Sequence, residues 1–97
     1  MAYNFRTLRF TVPAISAIEV LQFDENRKYL LVACSPLSAF AIYIAFYSLT
    51  GSNQPSIKDD TLVIYPNGYY EPVLVPNNII SIHNPNTSPA IGFILTV

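Results

Sequence analysis

The stretch Thr61-Leu62-Val63-Ile64-Tyr65, Pro66-Asn67-Gly68, Tyr69-Tyr70-Glu71-Pro72-Val73-Leu74-Val75, Pro76-Asn77-Asn78, Ile79-Ile80-Ser81-Ile82-His83 decides the fold class. Three short runs rich in β-branched and aromatic residues are separated by two turns built from Pro, Asn and Gly. Pro presets φ for a turn, and Asn and Gly tolerate the left-handed backbone that tight turns require. Such punctuation every few residues predicts short antiparallel strands, and no segment of helical length intervenes. A loop at Asn84–Pro89 and a last strand at Ala90–Val97 complete the C-terminal half.

The N-terminal half reads the same way. In Tyr3–Val12, Leu8, Phe10 and Val12 share one face while Arg9 and Thr11 take the other, the period of a half-buried strand. The phase slips between Phe5 and Leu8, which a bulge or a free N-terminal arm explains. Ile15–Phe23 fits a strand or a short helix, and Pro13 favours an extended entry. Asp24–Arg27 is a polar turn before the apolar run Lys28–Ser35. The break Pro36-Leu37-Ser38 and a second run, Ala39–Tyr47, predict a hairpin. Phe40, Ile42, Ile44 and Phe46 form the expected core face of that second strand. Ala41, Tyr43, Ala45 and Tyr47 form a smaller face suited to a second layer or to a partner. Ser48–Asp60 has loop composition. The expectation is one all-β domain over residues 1–97, a small antiparallel β-sandwich or jelly-roll-like barrel, with residues 1–12 an N-terminal arm or edge strand.

Charge narrows the function classes. Only 11% of the 97 residues are Asp, Glu, Lys or Arg, against about a quarter in an average soluble domain. A charge-poor surface invites association, so an oligomer or a member of a larger assembly is expected. The net charge of −1, with five basic residues that form no run, gives no footprint for nucleic acid. The longest apolar stretch, Ala39–Tyr47, is too short to cross a bilayer as a helix, and Met1–Phe10 lacks the pattern of a signal peptide. The expected product is soluble where it is made.

The residues offer little chemistry. His83 is the sole imidazole and Cys34 the sole thiol, so no metal-ligand spacing exists and no internal disulfide is available. Cys34 is expected to be buried and inert, and His83 to be hydrogen-bonded or solvated. A Cys34–His83 pair has no motif behind it. Asp59 and Asp60 would point to opposite faces of an extended segment, a poor arrangement for two-carboxylate catalysis. Asn86-Thr87-Ser88 matches the N-glycosylation pattern, which is discounted without a signal peptide. Neither an enzyme nor a cofactor site is expected.

The order of segments carries a resemblance. Asn26-Arg27-Lys28-Tyr29-Leu30-Leu31-Val32, then Ala41-Ile42-Tyr43-Ile44-Ala45-Phe46, then Tyr65-Pro66-Asn67-Gly68-Tyr69-Tyr70-Glu71, then Val75-Pro76-Asn77-Asn78-Ile79-Ile80-Ser81-Ile82 resembles small virion proteins of tailed bacteriophages. The chain departs from that pattern at Ala33–Ser38, where a polar turn is replaced. The resemblance implies a β-sandwich made in the host bacterial cytoplasm and carried on the capsid outer surface. There it would act as a decoration (cement) protein whose partner is the major capsid protein and which assembles as a homotrimer. Head fibre, spike or tail-associated roles, including host-glycan binding, are the alternative, and an unrelated cellular adaptor is a third. The expected contact surface is Tyr3, Phe5, Arg6 and Arg9 with Tyr43 and Tyr47, against the competing expectation that Phe5 and Tyr43 are core.

Overall fold

The computed structural model describes residues 4–50 and 61–97. Eight strands follow one another: β1 (Arg6–Val12), β2 (Ser16–Leu21), β3 (Leu30–Cys34), β4 (Ile42–Ala45), β5 (Leu62–Ile64), β6 (Tyr69–Tyr70), β7 (Ile80–Asn84) and β8 (Ala90–Thr96). They form two four-stranded antiparallel sheets, β1-β8-β3-β6 (sheet A) and β2-β7-β4-β5 (sheet B). Strands β1 with β8, β2 with β7, β3 with β6 and β4 with β5 are paired, as if one long hairpin had been rolled up. The further pairings of β8 with β3 and β7 with β4 close the roll. This is the jelly-roll arrangement of a two-sheet sandwich.

In a rolled hairpin the chain changes sheet at three places, and at each place two segments run side by side. Backbone hydrogen bonds join each pair: Ile15 N–H to Asn86 O at 3.0 Å, Asp24 N–H to Asn77 O at 3.0 Å, and Asn67 N–H to Cys34 O at 3.0 Å. Buried polar side chains reinforce them. The fully buried Asn84 amide donates to the carbonyls of Val12, Pro13 and Ser88, holding the first crossover. Arg27, 6% exposed, donates to Pro76 O at 2.6 Å, Asn78 O at 3.0 Å and Gln22 O at 2.8 Å, holding the second. Each satisfies carbonyls that the change of sheet leaves without ladder partners.

The core lies between the sheets. Sheet A supplies Phe10, Val12, Leu30, Val32 and Ile94, and sheet B supplies Leu21, Ile42, Ile44, Ile64, Ile80 and Ile82. Full burial of each such side chain stabilises the fold by about 1.5–3 kcal/mol, and isoleucine suits the pleat. Gly92 is required where β8 passes β1. Phe10 stands directly opposite it in the ladder, and a Cβ there would collide with the Phe10 ring and with the carbonyl oxygen of Ala33 on β3.

Three expectations are corrected, and the alternative left open for Ile15–Phe23 is settled. The runs around β3 and β4 do not make a hairpin: β3 belongs to sheet A and β4 to sheet B, so the turn Ser35–Ser38 is a crossover. The second strand covers only Ile42–Ala45, and Phe40, outside it, is half exposed instead of core. Ile15–Phe23 contains strand β2 and no helix, with a register shift between Glu19 and Leu21. The segment Tyr69–Val75 is a strand only at Tyr69–Tyr70. Pairing of β1 with β8 runs unbroken from Arg6 to Val12, so the early phase slip reflects an arm that joins the sheet at Arg6.

Candidate functional site

Among the described residues no three His, Cys, Asp or Glu side chains come together as a metal site. Asp59 and Asp60 lie outside the described residues. Cys34 is buried on the inner face of sheet A, and burial pushes its thiol pKa up, consistent with an inert thiol. His83 lies on the opposite sheet and faces outward from it. It sits between Ala17 on β2 and Tyr43 on β4, so the two groups cannot act as a pair. The expectation of a solvated His83 is overturned: the ring is 1% exposed, and its Nε2 has no hydrogen-bond partner among the described residues. Desolvation lowers its pKa below the usual 6.5 and favours the neutral form.

The outer face of sheet B is covered because the chain leaving β4 folds back across it. Leu49 N–H donates to Ser81 Oγ at 2.9 Å, and the Ser48 hydroxyl donates to Glu19. Ala45 and Ser81, both on this face, have no exposed surface.

The outer face of sheet A is open. One row crosses all four strands: Arg9, Phe93, Ala33 and Tyr69 stand side by side in register. Phe93 and Tyr69 are exposed, as is Leu37 on the neighbouring crossover. Two shallow hollows of about 430 and 280 Å³ flank Phe93, the first bordered by Leu37 and Ile91 and the second by Leu31 and Tyr69.

A third feature lies at the end of the sandwich where the chain enters. The edges of β1 and β2, the end strands of their sheets among the described residues, leave a groove of about 440 Å³ lined by Asn4, Arg6, Gln22, Phe23 and Asp24, with Arg27 and Thr96 also contributing. Phe23 stands exposed at its rim. Phe5, on the other side of the same chain entry, packs edge-on against Tyr29 with ring centroids 5.5 Å apart and is itself exposed. The Tyr29 hydroxyl donates to Glu71, and that bond raises the phenol pKa.

The six residues expected to form one contact surface are therefore dispersed. Arg6 lines the end groove, Phe5 lies beside it, and Arg9 is on the outer face of sheet A. Tyr43 and Tyr47 are half-buried, Tyr43 on the opposite sheet against His83 with ring centroids 6.3 Å apart. Tyr3 lies outside the described residues. Sequence reasoning passed over Phe23, Leu37, Phe93, Val73 and Leu74. An exposed position inside a run of apolar residues leaves no mark in the alternation. No protein-family model, curated protein or solved structure matches the chain.

Proposed function

We propose that the chain is a non-enzymatic virion protein of a tailed bacteriophage that decorates the capsid and bridges neighbouring major capsid protein subunits. The observation that carries the reading is the end groove. It combines exposed Phe23, with exposed Phe5 beside it, with the Arg6 guanidinium group and with edges of β1 and β2 that no described strand pairs. Aromatic and arginine side chains are enriched at protein interfaces, and a free strand edge offers main-chain hydrogen bonds to an extended segment of a partner. The groove suits a loop or arm of a capsid subunit that presents apolar and acidic groups. The resemblance of the segment order to small phage virion proteins and the charge-poor surface point the same way. The jelly roll by itself does not, because that fold serves many functions.

Decoration then works by multivalency. Many weak contacts, each added only when neighbouring subunits reach their final spacing, sum to resistance against internal pressure. The test is co-sedimentation of the purified protein with expanded heads that lack it. The wild type should saturate the heads, and the double variant Arg6→Glu/Phe23→Asp should not. Equal binding by the variant would remove the groove from the account, and no binding by the wild type would remove the capsid.

One observation favours a second reading, a spike or tail module that binds host glycan. Tyr65 and Tyr69, each 67% exposed, flank the tight turn at Asn67, whose φ is +67°. Exposed aromatic rings beside an amide suit a sugar. A glycan array that stays blank with the intact protein would dismiss it.

A further inference from the structure

The most exposed apolar side chains of the described residues lie away from the end groove. Val73 and Leu74, 96% and 88% exposed, form a knob on the crossover between β6 and β7. Leu37, 84% exposed, stands with Phe93 beside the two hollows on the outer face of sheet A. In the rolled hairpin the β6–β7 crossover and the Ser35–Ser38 crossover sit at opposite ends of the sandwich, because β3 and β6 run antiparallel between them. Knob and hollows are thus two separate patches that one molecule cannot bring together.

We propose that the Val73–Leu74 knob of one copy seats on the outer face of sheet A of the next copy, beside Phe93 and Leu37, in a head-to-tail contact. Three observations select a second copy as the occupant. Both patches are apolar and of matching kind, an aliphatic projection and a pair of shallow apolar hollows. Their charges are complementary: Glu71 stands exposed at the foot of the knob, and Arg9 borders the hollow beside Phe93. The surface is also poor enough in charge, 11% Asp, Glu, Lys and Arg, to be covered by a second copy. A specific contact takes about 1,200–2,000 Å² in total. A copy that gives its knob to one neighbour and its sheet to another would have to commit that amount, about a fifth to a third of its 5,915 Å² surface. A surface this poor in charge can bury such a share with few ions desolvated. A head-to-tail contact closes into a ring when its rotation permits and otherwise runs on as a chain.

The contact does not depend on the capsid reading, and it is tested on the purified protein alone by light scattering and sedimentation. The wild type should exceed the 10.8 kDa monomer mass. A knob variant, Val73→Asp/Leu74→Asp, and a face variant, Leu37→Asp/Arg9→Glu, should each raise the concentration of half-dissociation by about 10- to 100-fold. All four positions are exposed, so both variants should keep the wild-type circular dichroism. Mixing the two variants is the decisive step. Each retains one intact half, so an equimolar mixture should form pairs of one knob variant and one face variant and stop there. A monomeric wild type, a face variant that associates as the wild type does, or a mixture that forms no pairs would overturn the contact.

Discussion

Replacing Arg27 with methionine removes a buried cation whose three hydrogen bonds all end on backbone carbonyls of the crossover it holds. A hydrogen bond to a charged group contributes about 1.5–3 kcal/mol, but the three are not additive, and Gln22 and Asn78 lie at exposed positions where water can replace the guanidinium. The native protein is also relieved of a desolvated charge, the burial that lowers the Arg27 pKa. The methionine stem keeps part of the packing. The net loss is therefore about 3 kcal/mol, a large share of the 5–15 kcal/mol that such a domain holds, and it corresponds to a fall of about 10–25 °C in Tm. Urea unfolding followed by far-ultraviolet circular dichroism measures it, and tyrosine fluorescence gives a second probe because the chain has no Trp. Arg27→Lys should fall between the two, since an ammonium keeps the charge but lacks the planar fork that reaches separate carbonyls. A loss below about 1 kcal/mol for Arg27→Met, or a lysine variant as stable as the wild type, would refute the claim that Arg27 pins the crossover.

Three further outcomes follow from the packing. Gly92→Ala should cost about 2–3 kcal/mol or prevent folding, because its methyl meets a backbone oxygen that cannot step aside; an unchanged urea midpoint would contradict the close passage of β8. His83 titrates below 6.5 in the folded chain, so the unfolded chain takes up the proton first as pH falls. Stability conferred by the neutral ring is complete above about pH 6.5 and declines by at most about 1.4 kcal/mol per pH unit on the way down to the folded pKa. Among the described residues the ladder neighbours of the ring are Tyr43 and Ala17, with Glu19 two residues along β2, and His83→Gln should flatten the slope between about pH 7 and pH 5.5. Cys34 should react with iodoacetamide about a hundredfold or more slowly in the native protein than in the urea-unfolded one. Equal rates would place the thiol outside the core.

The turn at Pro66-Asn67-Gly68 was the most legible part of the fold, because it states its backbone requirement in three residues; Pro76-Asn77-Asn78, expected to be a second turn on similar composition, is instead a stretch of crossover bonded to Asp24 with no turn in it. Partnership was not legible. The turn at Pro36-Leu37-Ser38 has the chemistry of a hairpin, and the same chemistry serves a crossover; only the pairing of β3 with β8, some 60 residues away, decides between them. The inner and outer faces of β8 were equally hidden. Ala90-Ile91-Gly92-Phe93-Ile94-Leu95 is apolar on both sides, so nothing in the alternation marks Phe93 as exposed. Arg27 read as part of a polar turn, and its burial depends on carbonyls 49 and 51 residues further along. The segments on which the proposed likeness to phage proteins rests include those joined at this crossover, so those residues record how the roll is held together. The exposed side chains proposed to meet partners lie mostly outside that pattern.

The proposal that the chain decorates a capsid is tested most directly by the number of copies in purified particles. If a tailed phage encodes the chain as proposed, quantitative mass spectrometry of its particles, referenced to the major capsid protein, should return a ratio of order one. A protein present in a dozen copies or fewer, or absent from the heads, would contradict decoration.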